Sequence, residues 1–118
     1  MKKENLILNR TFDFSIVIIG LYKTLIGKKE YVLSKQILRS GTSIGANVEE
    51  ATAAFSKNDF AYKMSVASKE ARETRYWLKL LQKSQLVKGN YEAQLSEVDE
   101  LINILTAIVK TVQSKEKR

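Results

Sequence analysis

The chain contains no histidine, no cysteine and no proline. Without histidine it lacks the usual general base near neutral pH and the commonest metal ligand. Without cysteine it has neither disulfides nor thiolate metal sites, which fits a reducing compartment. Glycine is sparse, at Gly20, Gly27, Gly41, Gly45 and Gly89, so nothing reads as a flexible linker. The apolar run Ile16-Val17-Ile18-Ile19 falls far short of the roughly 20 residues that span a bilayer. It also lies too far from a small-residue cleavage site to read as a signal peptide. The 118 residues support one domain with one core. The expectation is a single cytoplasmic, soluble domain over 1–118, with no membrane contact and frayed tails at 1–10 and 115–118.

The net charge is +7, and it is unevenly spread. Residues 57–88 carry eight basic and three acidic side chains, whereas residues 89–118 carry four and five. A basic excess favours an anionic partner in general. It does not by itself separate nucleic acid from ordinary solubility.

Apolar periodicity predicts four helices and no strand. The first runs from Thr11, as N-cap, to Ile26, with Gly27 suited to the left-handed position after it. Phe12, Ile16 and Ile19 mark one face, and Phe14, Ile18, Leu21 and Leu25 mark another, so the helix is expected to be covered on more than one side. The second spans about Tyr31–Phe55. Ser56-Lys57-Asn58-Asp59 resembles a capping box that starts the third, which runs to about Val87 and stops at Gly89-Asn90. The fourth spans about Tyr91–Ser114, with a heptad-like seam of Leu95, Val98, Ile102, Leu105, Val109 and Val112. Short connections favour antiparallel neighbours, which gives an all-α, antiparallel up-and-down four-helix bundle.

The third helix has two apolar stripes. Phe60, Met64, Ala67, Ala71, Leu78 and Leu81 form the first. Tyr62, Val66, Trp77 and Leu80, with Glu73 among them, form the second, roughly 120–160° around. The second stripe reads either as an oligomer interface or as surface that a crowded bundle buries within one chain. Arg72, Arg75, Lys79 and Lys83 share a sector of about 80° on the same helix. Such a row can follow a phosphate backbone, or it can be a solvated face with intrahelical pairs such as Lys69–Glu73. No aromatic clearly interleaves with the row, because Trp77 points elsewhere, so backbone contact is better supported than base stacking.

Small and polar residues crowd the middle of the second helix, from Arg39 to Ala51. Glycine costs a helix about 1 kcal/mol against alanine, so Gly41 and Gly45, four apart, imply a cleared strip for a close neighbour. Arg39, Ser43, Asn47, Glu50 and Glu73 form a polar set. Antiparallel pairing through the Ser56–Lys57 turn puts Arg39 and Ser40 level with Glu73, and Glu50 level with Lys63. The set reads as a register-fixing network rather than a pocket, since no nucleophile stands beside a base.

The pattern Arg39-Ser40-x-x-Ser43-Ile44-x-x-Asn47-Val48-x-Glu50, followed by Ala67-Ser68-Lys69-Glu70-Ala71-Arg72-Glu73-Thr74, resembles one family. It is the bacterial four-helix bundle family named after 23S ribosomal RNA intervening-sequence proteins, whose relatives include the accessory protein of diversity-generating retroelements. The likeness covers roughly residues 10–112. Where many members carry Ala-Glu-Gly, this chain has Glu49-Glu50-Ala51. The resemblance implies an up-down bundle that assembles into rings, pentamers in particular. For most members it implies no defined activity, and for the retroelement branch it implies binding to nucleic acid and to a reverse transcriptase.

Four-helix bundles often hold two metal ions between Glu and Glu-x-x-His motifs. Glu70, Glu73, Glu97 and Glu100 have carboxylate spacing, but the histidines are missing. Gly41 to Gly45 matches no nucleotide-binding loop. The expectation is a non-enzymatic homo-oligomer without cofactor or metal that binds RNA, DNA or a nucleic-acid enzyme through its basic surface. The alternative is an assembly protein with protein partners only.

Overall fold

The computed structural model describes residues 3–116, with side chains from Leu6 to Lys115. Four α-helices follow in order: α1 Lys3–Gly27, α2 Leu33–Ala51, α3 Lys57–Ser84 and α4 Glu92–Glu116. They form an elongated bundle of 51 × 23 × 22 Å. Each helix packs against the next, and α1 also touches α4. Level pairs across neighbours run in opposite directions: Glu50 meets Lys63 and Arg39 meets Glu73, while Arg72 meets Thr106 and Arg75 meets Asp99. One core runs the length of the bundle through Phe14, Ile18 and Leu25, Ile37 and Ile44, Met64, Leu78 and Leu81, and Leu101 and Leu105.

Helix α1 starts two turns before the expected Thr11 cap and takes in Lys3 to Arg10. Ile7 is fully buried and Leu8 packs on the core, which extends the apolar face toward the N-terminus. Thr11 is a buried mid-helix residue whose hydroxyl donates to the Ile7 carbonyl at 2.8 Å. At the other end Lys115 is the last basic residue of α4. Residues 1–2 and 117–118 of the expected tails lie outside the described residues.

The turns also differ from expectation. Gly27 closes α1 without a left-handed φ; Lys29 takes that conformation, at φ 67°. Helix α2 stops at Ala51 rather than Phe55, through i→i+3 bonds from Thr52, Ala53 and Ala54 to Glu49, Glu50 and Ala51. The next helix draws the chain away: the Ser56 hydroxyl caps the Asp59 N–H at 3.0 Å, and the Asp59 carboxylate accepts from the Phe55 N–H at 3.2 Å. Helix α3 ends at Ser84 because Gln85, at φ 51°, turns left-handed. Val87 then tucks into the core from the loop, and its carbonyl accepts the Tyr91 hydroxyl at 2.6 Å.

Glycines 41 and 45 hold the α1–α2 contact. A Cβ on Gly41 would lie 2.9 Å from two Ile18 side-chain carbons. One on Gly45 would lie 3.1 Å from the Thr11 carbonyl oxygen. The neighbour for which the strip is cleared is α1.

The first turn of α2 is capped from outside. The Glu30 carboxylate accepts from the N–H groups of Val32 at 3.0 Å, Leu33 at 2.9 Å and Ser34 at 2.6 Å. Burial pushes this carboxyl up, but the donors from Leu33, Ser34 and Val32 outweigh it and hold it below its ordinary value. A depressed folded-state pKa adds stability above the ordinary carboxylate range and loses it as pH falls through the folded value. Glu30→Ala should therefore cost about 1–2 kcal/mol at pH 7, the scale of a lost cap. The gap between variant and wild type in urea titrations should narrow below about pH 4; a gap independent of pH would show that the charge is irrelevant.

Candidate nucleic-acid interface

The basic row of α3 is brought together as read. Arg72, Arg75, Lys79 and Lys83 line one concavity of about 400 Å³ with Tyr76 and Leu80. Arg72 donates to Thr106 at 3.3 Å, and Arg75 pairs with Asp99 at 3.1 Å, so α4 props both guanidinium groups. Lys79 and Lys83 are exposed and form no ion pair among the described residues.

Tyr76 corrects the expectation that no aromatic interleaves with the row. Its side chain is 57% exposed and stands among the four cations. Its ring meets Trp77 edge-on, with centroids 5.2 Å apart. The Trp77 indole N–H in turn donates to Glu73 at 3.0 Å. The signal was present in the sequence: Tyr76 lies four residues after Arg72 and three before Lys79, the spacing of helix neighbours.

The polar set divides. Arg39 pairs with both Glu73 and Glu70 across the α2–α3 seam, which together with the Trp77 bond makes one connected network. Beneath it Thr74 and Ser40 share a buried bond of 2.8 Å. Ser43 and Asn47 do not join; they donate to the Arg39 and Ser43 carbonyls of their own helix at 2.6 and 2.8 Å. Glu50 pairs separately with Lys63 at 2.7 Å. Glu97 and Glu100 both accept from Arg10. The four carboxylates with metal-like spacing are thus each engaged by arginine. No cluster suited to a metal ion occurs among the described residues.

Of the second apolar stripe, Tyr62 is 63% exposed, Val66 is half-buried and Leu80 borders the basic concavity. Trp77 packs partly on the core. A larger apolar face lies elsewhere, on α1, where Phe12 and Ile16 are 66% and 56% exposed. With Leu8, Ile19, Gly45 and Ala46 they line a groove of about 570 Å³ in which Glu49 is the sole charged residue. The expectation that this face is covered fails within one chain, because α2 and α4 occupy only the side that carries Phe14, Ile18 and Leu25.

Fold and surface define a helical bundle with a basic concavity on α3 and an apolar groove along α1. The family model described as 23S rRNA-intervening sequence protein matches residues 3–107, and the chain belongs to that family. It is similar to a protein with unknown function from the S23 ribosomal protein family of Bacteroides thetaiotaomicron VPI-5482, whose crystal structure is at 1.70 Å resolution. The two are 44% identical over 92% of this chain and 99% of the other, with a TM-score of 0.87. No curated protein matches the chain. No described helix is long and apolar enough to cross a membrane.

The packing of Trp77 generates a test. Trp77→Glu should lower the stability of the chain itself by about 2–3 kcal/mol, somewhat less than loss of a fully buried aromatic. Chemical denaturation at high dilution reads this directly. Unchanged stability would show that the ring serves only contacts between molecules.

Proposed function

We propose that this protein is a non-catalytic, self-associating bundle of the cytoplasm that binds the backbone of nucleic acid through the basic face of α3. The supporting observation is the concavity in which Arg72, Arg75, Lys79 and Lys83 surround one hollow. At 1.5 Å per residue the row is about 16 Å long, room for several phosphates of one strand. Each neutralised phosphate releases counterions and adds affinity. Opposing carboxylates do not cancel the row. Glu70 and Glu73 are drawn to Arg39 on the opposite seam, leaving Asp99 as the acid paired to it.

Self-association is supported by the apolar exposure of α1, against the repulsion between like-charged copies. Copies carrying +7 repel one another, and the α1 groove offers contact with Glu49 as its one charge. The occupant of the groove is a second copy of this chain. A ring, as the family resemblance implies, needs a head-to-tail contact between different surfaces. Tyr62 and Val66 on α3 supply an apolar counterpart. The alternative remains a scaffold whose basic face meets acidic protein partners.

Binding should weaken steeply with salt, by a log–log slope of about −0.7 per phosphate contact for a single strand. Lys79→Glu with Lys83→Glu should lower affinity at low salt about tenfold or more and flatten that slope by about one to two units. Glu97 and Glu100 are poor controls because Arg10 holds them; Glu92→Lys, exposed at the start of α4, is a better one. Wild-type protein that binds no nucleic acid at low salt would leave the scaffold reading.

Ile16→Glu places a charge in the apolar groove while leaving the core intact. The variant should sediment as a smaller particle of unchanged helicity. A wild-type monomer at micromolar concentration, or a variant of wild-type size, would defeat the assembly proposal.

A further inference from the structure

We infer that the α3 concavity takes single-stranded nucleic acid, with Tyr76 as a stacking platform for a base and the surrounding cations on the flanking phosphates. This rests on the nucleic-acid reading above and narrows it.

A Tyr placed for packing would bury its ring, yet Tyr76 is 57% exposed among four cations. The ring is braced rather than loose: Trp77 lies against it at an interplanar angle of 69°, and Glu73 holds Trp77. Arg39 holds Glu73 from the next helix. The platform is therefore preorganised through a chain of contacts reaching α2, so little ordering entropy is lost on stacking.

An aromatic face discriminates between strand states. In a duplex the base faces are covered by their neighbours, and only edges and phosphates are offered to a protein. In a single strand each base has a free π-face, and stacking on an aromatic side chain is tolerant of sequence. A basic row alone serves either state. A basic row around an exposed, braced aromatic favours the single strand. Leu80, half-exposed in the same hollow, extends the apolar floor beneath a base.

The test uses fluorescein-labelled oligothymidylate and oligouridylate of about 20 nucleotides, longer than the roughly 4–16-nucleotide footprint of a single-strand site. A mixed-sequence DNA duplex of similar length is the comparison. Wild type should bind the single strands more tightly than the duplex at equal salt. Tyr76→Ala should weaken single-strand binding about tenfold and leave duplex binding unchanged, while Tyr76→Phe should retain wild-type affinity. Trp77, the one tryptophan of the chain, adds a structural readout: its emission should change when single strands bind wild type and not when they contact Tyr76→Ala. Equal binding of both strand states by wild type, with Tyr76→Ala unaffected, overturns the stacking inference while the backbone reading stands. Binding to neither overturns both.

Discussion

The α1 side of the bundle depends on how little room there is at Gly41 and Gly45. A Cβ at Gly41 would overlap the Ile18 side chain, and one at Gly45 would press tightly on the Thr11 carbonyl. Steric fit of this kind is short-ranged and unforgiving, because packed interiors have no slack to absorb an added methyl group. It fixes the rotation of α1. With Ile18 seated over Gly41, Phe14 and Leu25 point inward, while Phe12 and Ile16, on the other side of the same helix, remain at the surface. The exposed groove is thus a consequence of the close contact and not a failure of packing. A helix that is apolar on two faces and buried on one is left with a face to be covered.

The basic concavity has a similar origin in geometry. Helix α3 carries both signs of charge, and from Glu70 onward its acids and bases are sorted by face. Glu70 and Glu73 fall toward α2, where Arg39 meets them. Arg72 and Arg75 fall toward α4 and are steadied by Thr106 and Asp99. Exposed ion pairs contribute little stability, about 0–1 kcal/mol each, so their main effect here is arrangement. They take the carboxylates out of the neighbourhood of Lys79 and Lys83 and hold the guanidinium groups in place.

Much of this was legible in the sequence. The four helices, the four-residue Gly spacing and the Arg39–Glu73 and Glu50–Lys63 levels follow from periodicity and the position of one turn. The terminal turns were less legible, for a local reason. Thr11 has the right chemistry for an N-cap, but Ile7 and Leu8 gain more by extending the core than the chain gains by starting there. Gly27 and Gly89 suit left-handed positions, yet Lys29 and Gln85 take them. At Gly89 the missing side chain instead makes room for the Tyr91 ring, whose hydroxyl would lie 3.2 Å from a Cβ. Glu30 is not marked in the sequence because it caps α2 from outside the usual cap position. Tyr76 belongs to neither apolar stripe of α3, so hydrophobic periodicity does not mark it.

Bundle topology decides whether the two surfaces can work together. Helix α1 packs on α2 and α4, and α3 packs on the same two from the opposite corner. The groove along α1 and the concavity along α3 therefore face away from each other. A copy seated on the groove does not cover the cations around Tyr76. Tyr62, the exposed aromatic at the start of α3, lies fourteen residues before Tyr76, about 21 Å along the helix, so a neighbour reaching it also leaves the concavity open. In the assembly proposed above, the basic hollow would be repeated at each subunit instead of buried. Weak single-site contacts, screened over about 8 Å at physiological ionic strength, gain from such repetition, because one strand engaging several copies turns later contacts into intramolecular ones. On the proposed function, the apolar face of α1 and the basic face of α3 would be parts of one arrangement.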